Sequence, residues 1–204
     1  IERMRGFGAE VDVSADFQMA DKRCAEFVQE TGAVYVHPYD LPHILAGQGT
    51  VGREIEEDMP DVDTLFISVG GGGLIGGVTA WFEGRIRIVA VETEGTPTLA
   101  EAMKYGHETR IAVSGIAASA LGAPVIGKLA FDIVKRFPVE HMSVTDADVR
   151  AAQKRLWEGT RLIGEPGAAT ALAPLVTGAY TPALGERVAV LLCGSNAAPD
   201  WFLD

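Results

Sequence analysis

Four consecutive glycines, Gly70, Gly71, Gly72 and Gly73, follow the apolar run 64–69 and lead into a helically spaced segment that ends near Phe82. No other feature restricts the fold so strongly. A short apolar run bounded by turn residues reads as a buried strand, and the segment behind the glycines reads as a buried helix. Backbone without Cβ takes positive φ without strain and lets a ligand come close. The first N–H groups of a helix lack internal acceptors and lie at the positive end of its dipole, so this junction is an anion site in waiting. Phosphate is the natural occupant. A tight strand-to-helix connection with no ligand is the plainer alternative, but four glycines in a row cost more backbone entropy than a bare connection requires.

The spacing leaves the phosphate's owner open. Gly71-x-Gly73-x-x-Gly76 fits a dinucleotide fingerprint, and Glu92 stands about 20 residues on, where a ribose-binding acid belongs. A P-loop is excluded, because no Gly-Lys-Ser/Thr follows.

Around this junction strand-like and helix-like segments alternate, which predicts an α/β fold with a parallel sheet. Strands are expected at 8–13, 33–36, 64–69, 86–91 and 187–192. Helices are expected at 15–31, 47–58, through Phe82, 97–105, 124–137, from the Thr145/Asp148 capping box to Trp157, and between Pro166 and Gly178. On the helix at 15–31, Phe17, Ala20, Cys24, Phe27 and Val28 share one face.

Composition narrows the function. Lys and Arg number 17 against 28 Asp and Glu, a net charge of -11, which argues against nucleic acid and anionic membrane surfaces as partners. No apolar run approaches the ~18 residues of a membrane helix. Cys24 and Cys193 are the only cysteines, without metal spacing, and suit a reducing cytoplasm. His37, His43, His107 and His141 show no ligand spacing and read as surface or packing residues.

Several blocks together carry a resemblance: IERMRGFGAEV at 1–11, VYVHP at 34–38, AGQGTVG at 46–52, the glycine loop, VAVET at 89–93, EPGAA at 165–169 and LLCGSN at 191–196. In this order the chain resembles the serine/threonine dehydratase group of pyridoxal-phosphate enzymes of fold type II (tryptophan synthase beta-like). The resemblance implies that Gly70, Gly71, Gly72, Gly73 and the backbone of Leu74 cradle the cofactor phosphate, and that Cys193 meets the pyridine nitrogen. A thiol is a weak, ordinarily neutral donor, so the ring would stay unprotonated. The resemblance also places Glu92 at a site for a monovalent cation, with Thr96 and Thr98 nearby; relatives often have an acid near the latter. The loop Ser114-Gly115-Ile116-Ala117 resembles a block lining the cofactor, with Ser114 where an acid is usual. Glu165 reads equally as a site residue or as a helix-start acid. A helix start accounts for the glycines of Gln48-Gly49-Thr50.

The lysine that holds the cofactor aldehyde belongs to a Ser-x-Lys-x-Arg-Gly segment upstream in the family. Lys22, Lys104, Lys128, Lys135 and Lys154 do not have that context. The chain also opens on Ile1 rather than Met. It is therefore expected to be the C-terminal two thirds of a dehydratase, inactive by itself, with 1–40 the remainder of a small mobile domain and 41–204 the large cofactor domain. The implied activity is elimination of water and ammonia from L-serine or L-threonine to give pyruvate or 2-oxobutyrate, in a cytoplasmic homodimer. An amino-acid racemase on the same scaffold and a non-catalytic nucleotide-binding fragment are the alternatives. An appended regulatory module of the biosynthetic threonine deaminase type is not expected after Asp204.

Overall fold

The computed structural model describes residues 1–15 and 17–197. Asp16, the side chain of Phe17 and residues 198–204 lie outside the described residues, Phe17's place on the expected helix face with them. The chain divides into two compact units, Ile1–His37 and Pro38–Asp204.

The first unit contains α1 (Glu2–Gly6) and α2 (Phe17–Thr31). Residues 8–13 and 33–36 do not form the expected strands. Alternation alone does not make a strand, because its N–H and C=O groups need a ladder partner. Neither segment has one among the described residues, and Val34 is 88% exposed.

In the second unit α3 (Pro42–Asp58) precedes β1 (Thr64–Ser68), α4 (Gly73–Phe82), β2 (Arg87–Thr93) and α5 (Thr98–Tyr105). Then come α6 (Ala118–Leu121), α7 (Lys128–Arg136), β3 (Glu140–Val144) and α8 (Asp146–Thr160). The chain closes with α9 (Pro166–Thr170), α10 (Ala173–Thr177) and β4 (Val188–Val190). The four strands form one parallel sheet in the order β3-β2-β1-β4.

All five residues of β1 are buried, as a central parallel strand covered on both faces should be. Leu65, Ile67 and Val69 pack with Ile75, Val78 and Phe82 of α4 and with Phe131 and Val134 of α7. Phe66 faces the opposite layer, with Val149 and Ala152 of α8 and Ala169. The sheet is thus held between two helical layers, with its carboxyl edge left for loops. No helix among the described residues is long and apolar enough to cross a membrane.

Several boundaries differ from expectation, each for a local reason. β3 was not anticipated: Glu140, His141 and Ser143 give it no apolar run, and pairing with β2 makes it a strand. α3 begins at Pro42, which suits a first helical position because its missing N–H is not needed there. Gly49 is therefore inside a helix rather than at its start, and it serves close packing. A Cβ on Gly77 of α4 would lie 2.7 Å from the Gly49 nitrogen, so α3 and α4 touch backbone to backbone. The segment after Pro166 breaks into α9 and α10, since Pro174 has no N–H to continue the ladder.

Candidate active site

The glycine junction stands at the carboxyl edge of β1, the central strand. Gly72 is the N-cap of α4 at φ 93°, a left-handed conformation that glycine tolerates and side chains resist. The first helical bond of α4 runs from the Gly76 N–H to the Gly72 carbonyl. Among the described residues, no backbone or side-chain acceptor takes the N–H groups of residues 70–75. These residues are buried or half-buried. Buried N–H groups are otherwise almost always paired, so six unpaired donors in succession have the chemistry of an anion-binding loop.

Neighbouring helix starts are filled from within the chain. The buried Glu92 carboxylate accepts from Leu99 N–H at 2.6 Å and Ala100 N–H at 2.9 Å at the start of α5. Asp40 accepts from Lys128 N–H and Leu129 N–H, each at 3.0 Å, at the start of α7. Thr145 and Asp148 form the anticipated capping box on α8. At the start of α4 no side chain of the described residues takes the N–H groups in this way. The loop's outer side is closed: a Cβ would lie 3.0 Å from the Leu121 backbone at Gly70, 2.5 Å from the Tyr39 ring at Gly71, 2.7 Å from Ala130 at Gly72 and 3.1 Å from Tyr39 at Gly73. At Gly71 and Gly72 a side chain would force its neighbours aside, and at Gly70 and Gly73 it would be tighter than ordinary contact.

Cys193 leaves the same edge on the adjacent strand. β4 pairs with β1 through Phe66 and Val190, and Leu191 N–H still donates to the Phe66 carbonyl at 3.0 Å. Cys193 follows two residues later, beyond the carboxyl end of β4, as the glycine loop follows β1. Desolvation pushes its thiol above the ordinary value, and the Glu165 carboxylate pushes it further in the same direction. The thiol therefore holds its proton at neutral pH. Glu165, the N-cap of α9, donates its N–H to the Gly194 carbonyl at 3.2 Å.

Glu92 is fully buried, and His141 Nε2 lies 2.9 Å from it. Its oxygens are committed to α5, which removes it from the ribose role that the dinucleotide spacing suggested. Thr96 Oγ1 pairs with Thr93 Oγ1 at 2.8 Å, and Thr98 Oγ1 donates to the Ala123 carbonyl at 3.0 Å. No group of three or more His, Cys, Asp and Glu suited to a metal occurs among the described residues. The Ser114 loop is pinned at this edge too: Ser114 N–H donates to the Gly95 carbonyl at 2.9 Å and Ile116 N–H to Asp146 Oδ2 at 3.2 Å. The five lysines are exposed on helices, with Lys104 paired to Glu101 and Lys128 to Asp132.

Sequence reasoning missed Tyr39, Asp40, His141 and Asp146. Asp40 and Asp146 reach distant segments, and no local spacing encodes that. His141 carried a signal only if β3 was recognised beside β2.

The model of the family described as pyridoxal-phosphate dependent enzyme matches residues 1–194, and the chain belongs to that family. Its parallel sheet and helical layers are those of the fold type II members. It is 32% identical over 200 residues to the L-threonine ammonia-lyase of Thermotoga maritima, covering 96% of this chain and 49% of that protein. Among solved structures it resembles threonine deaminase isoform 2 from Solanum lycopersicum at 25% identity and TM-score 0.88, over 99% of this chain and 57% of that one. It resembles maize serine racemase at 26% identity and TM-score 0.88, over 99% and 65%. The chain thus spans about half the length of the ammonia-lyase it matches.

The site's residues fit the family's cofactor. A row of unpaired N–H groups suits the phosphate, the closed outer wall leaves only backbone to meet it, and a protonated thiol suits an unprotonated ring nitrogen.

Proposed function

We propose that the protein containing this chain is a pyridoxal-phosphate-dependent dehydratase (ammonia-lyase) that converts L-threonine and L-serine to 2-oxobutyrate and pyruvate with loss of ammonia. The observation that carries this reading is the run of unpaired N–H groups at residues 70–75, in a chain of this family and similar to an L-threonine ammonia-lyase. Gly70, Gly71, Gly72, Gly73 and Leu74 would hold the phosphate through backbone N–H groups, and α4 adds its positive end. Cys193 Sγ keeps its proton and meets the ring nitrogen as a neutral donor. When bound, the cofactor supplies an electron sink, and a thiol at its nitrogen keeps that sink weak enough to suit loss of a β-hydroxyl. The lysine that would hold the aldehyde is assigned to a part of the protein outside this chain.

The small mobile domain expected over 1–40 is read as ending at His37, with the large cofactor domain running from Pro38. The reason is that Tyr39 and Asp40 are bound to the glycine loop and to the start of α7. Glu92 is better given the task of docking α5 than that of holding a monovalent cation, since both its oxygens already accept N–H groups. A cytoplasmic homodimer is part of the same proposal. The apolar groove of about 600 Å³ between α3, α4 and α7, with Leu45, Trp81 and Ile133 on its walls, offers a surface for the second copy. Sedimentation of the complete protein tests the dimer.

The reaction is tested by supplying the complete protein with pyridoxal phosphate and L-threonine or L-serine. Keto acid and ammonia in equal amounts support the proposal; no keto acid from either substrate overturns it. The likeness to maize serine racemase favours one second reading, an amino-acid racemase. D-serine forming faster than pyruvate would select it.

A further inference from the structure

Two residues at the entrance of the second unit, Tyr39 and Asp40, are bound to the glycine loop and to the start of α7. The Tyr39 ring covers Gly71: a Cβ there would lie 2.5 Å from the ring carbon Cγ. The Tyr39 backbone and Cβ cover Gly73 in the same way, at 3.2 and 3.1 Å. The phenol donates to the Val125 carbonyl at 3.1 Å. Asp40 takes the first two N–H groups of α7 and lies against Gly127, where a Cβ would be 2.9 Å from Oδ1. Gly127 N–H in turn donates to the Gly71 carbonyl at 2.9 Å.

That last bond has a directional consequence. A trans peptide holds its C=O and N–H on opposite sides. Anchoring the Gly71 carbonyl on Gly127 therefore turns the Gly72 N–H away from α7, among the unpaired donors of the loop. A peptide between two glycines has little intrinsic resistance to flipping, because neither residue has a Cβ to forbid the alternative. A flipped peptide would present a carbonyl oxygen to an anion in place of an N–H. The ring packed on Gly71 and the bond from Gly127 are what oppose the flip.

We infer that Tyr39 is a positioning residue of the phosphate site: its ring locks the Gly71–Gly72 peptide in the orientation that offers an N–H to the phosphate. The inference rests on the cofactor reading above and deepens it. Its phenol is committed to the Val125 carbonyl, so Tyr39 acts on the site through the loop it covers. Its role is to make the loop's donors available before the ligand arrives.

The test compares pyridoxal phosphate with pyridoxal, which lacks the phosphate, in equilibrium binding to the apo form of the complete protein. The unaltered protein should prefer pyridoxal phosphate strongly; equal binding of the two would remove the cofactor reading itself, without reference to any variant. Tyr39→Ala should weaken pyridoxal phosphate about tenfold, the value of roughly one hydrogen bond, and leave pyridoxal unchanged. Tyr39→Phe, which keeps the ring, should restore most of the affinity. Tyr39→Leu serves where the alanine variant does not fold, and the same selective loss is expected of it. If a folded Tyr39→Ala or Tyr39→Leu protein keeps full affinity, or loses both ligands equally, the positioning role is overturned. The amide resonance of Gly72 gives a readout independent of turnover: addition of inorganic phosphate should shift it in the parent and Tyr39→Phe proteins and leave it unmoved in Tyr39→Leu. A shift of equal size in Tyr39→Leu would also overturn the inference.

Discussion

Glu165 is seated directly on Gly194: its N–H bonds to the Gly194 carbonyl at 3.2 Å, and a Cβ on Gly194 would lie 2.9 Å from the Glu165 carboxyl carbon. The carboxylate is thereby held one residue from Cys193, where it opposes formation of the thiolate. Replacing Glu165→Gln removes the negative charge and keeps the shape. The Cys193 titration should then move down toward the ordinary thiol value, while staying above it, because desolvation is the larger cause and is retained. The rate of iodoacetamide alkylation against pH, in a Cys24→Ser background, measures this. An unchanged midpoint would show that the carboxylate does not act on the thiol.

Gly72 should tolerate substitution worse than any glycine whose only peculiarity is its backbone. Gly72 and Gly84 both have positive φ, 93° and 81°, but a Cβ at Gly72 would lie 2.7 Å from Ala130, and nothing stands within 4 Å of Gly84. Gly84→Ala should cost about 1–2 kcal/mol of stability from the left-handed conformation alone. Gly72→Ala adds overpacking, for about 2–4 kcal/mol in all. Urea denaturation of the two variants compares them directly, and equal costs would mean that the loop's wall yields.

The central strand, the glycine junction and the α8 cap were legible because each is written locally: an apolar run, a glycine run, and Thr145 three residues before Asp148. Cys193 and Glu92 became candidates through resemblance, and their surroundings were not foreseeable. Glu92 accepts from residues seven and eight positions ahead, and from a histidine on a strand whose sequence gives no strand signal. Tyr39 acts on Gly71 across the fold, a relationship without a sequence period. Residues 8–13 and 33–36 show the converse: strand-like alternation is a potential that only a ladder partner realises.

Glu92 gives a test of docking against metal binding. Glu92→Ala would leave the Leu99 and Ala100 N–H groups without their acceptor at a buried helix start. That should cost about 2–4 kcal/mol, from one or two unsatisfied donors. Glu92→Gln keeps one acceptor oxygen and should lose less. Potassium or magnesium added to the parent protein should leave the unfolding midpoint unmoved at constant ionic strength. A rise on adding one cation, abolished in Glu92→Gln, would restore the metal role.

At the opposite edge of the sheet, Glu186 ties the loop before β4 to the start of β1. Its carboxylate accepts from Thr64 Oγ1 at 2.5 Å, Tyr180 OH at 2.5 Å and Ala183 N–H at 2.8 Å. These bonds, that of Thr64 first, hold its pKa at about 2 against an ordinary 4.5. The folded state thus binds the proton less readily than the unfolded chain, so stability from Glu186 is fully present above pH 4.5 and is lost as pH falls through about 2. Urea midpoints of the parent and of Glu186→Gln should differ most near neutral pH. The gap should narrow steadily below about pH 4.5, as the carboxylate of the unfolded chain takes up its proton. A gap that stays constant across that acid window would show that the three bonds are equally good to the protonated acid.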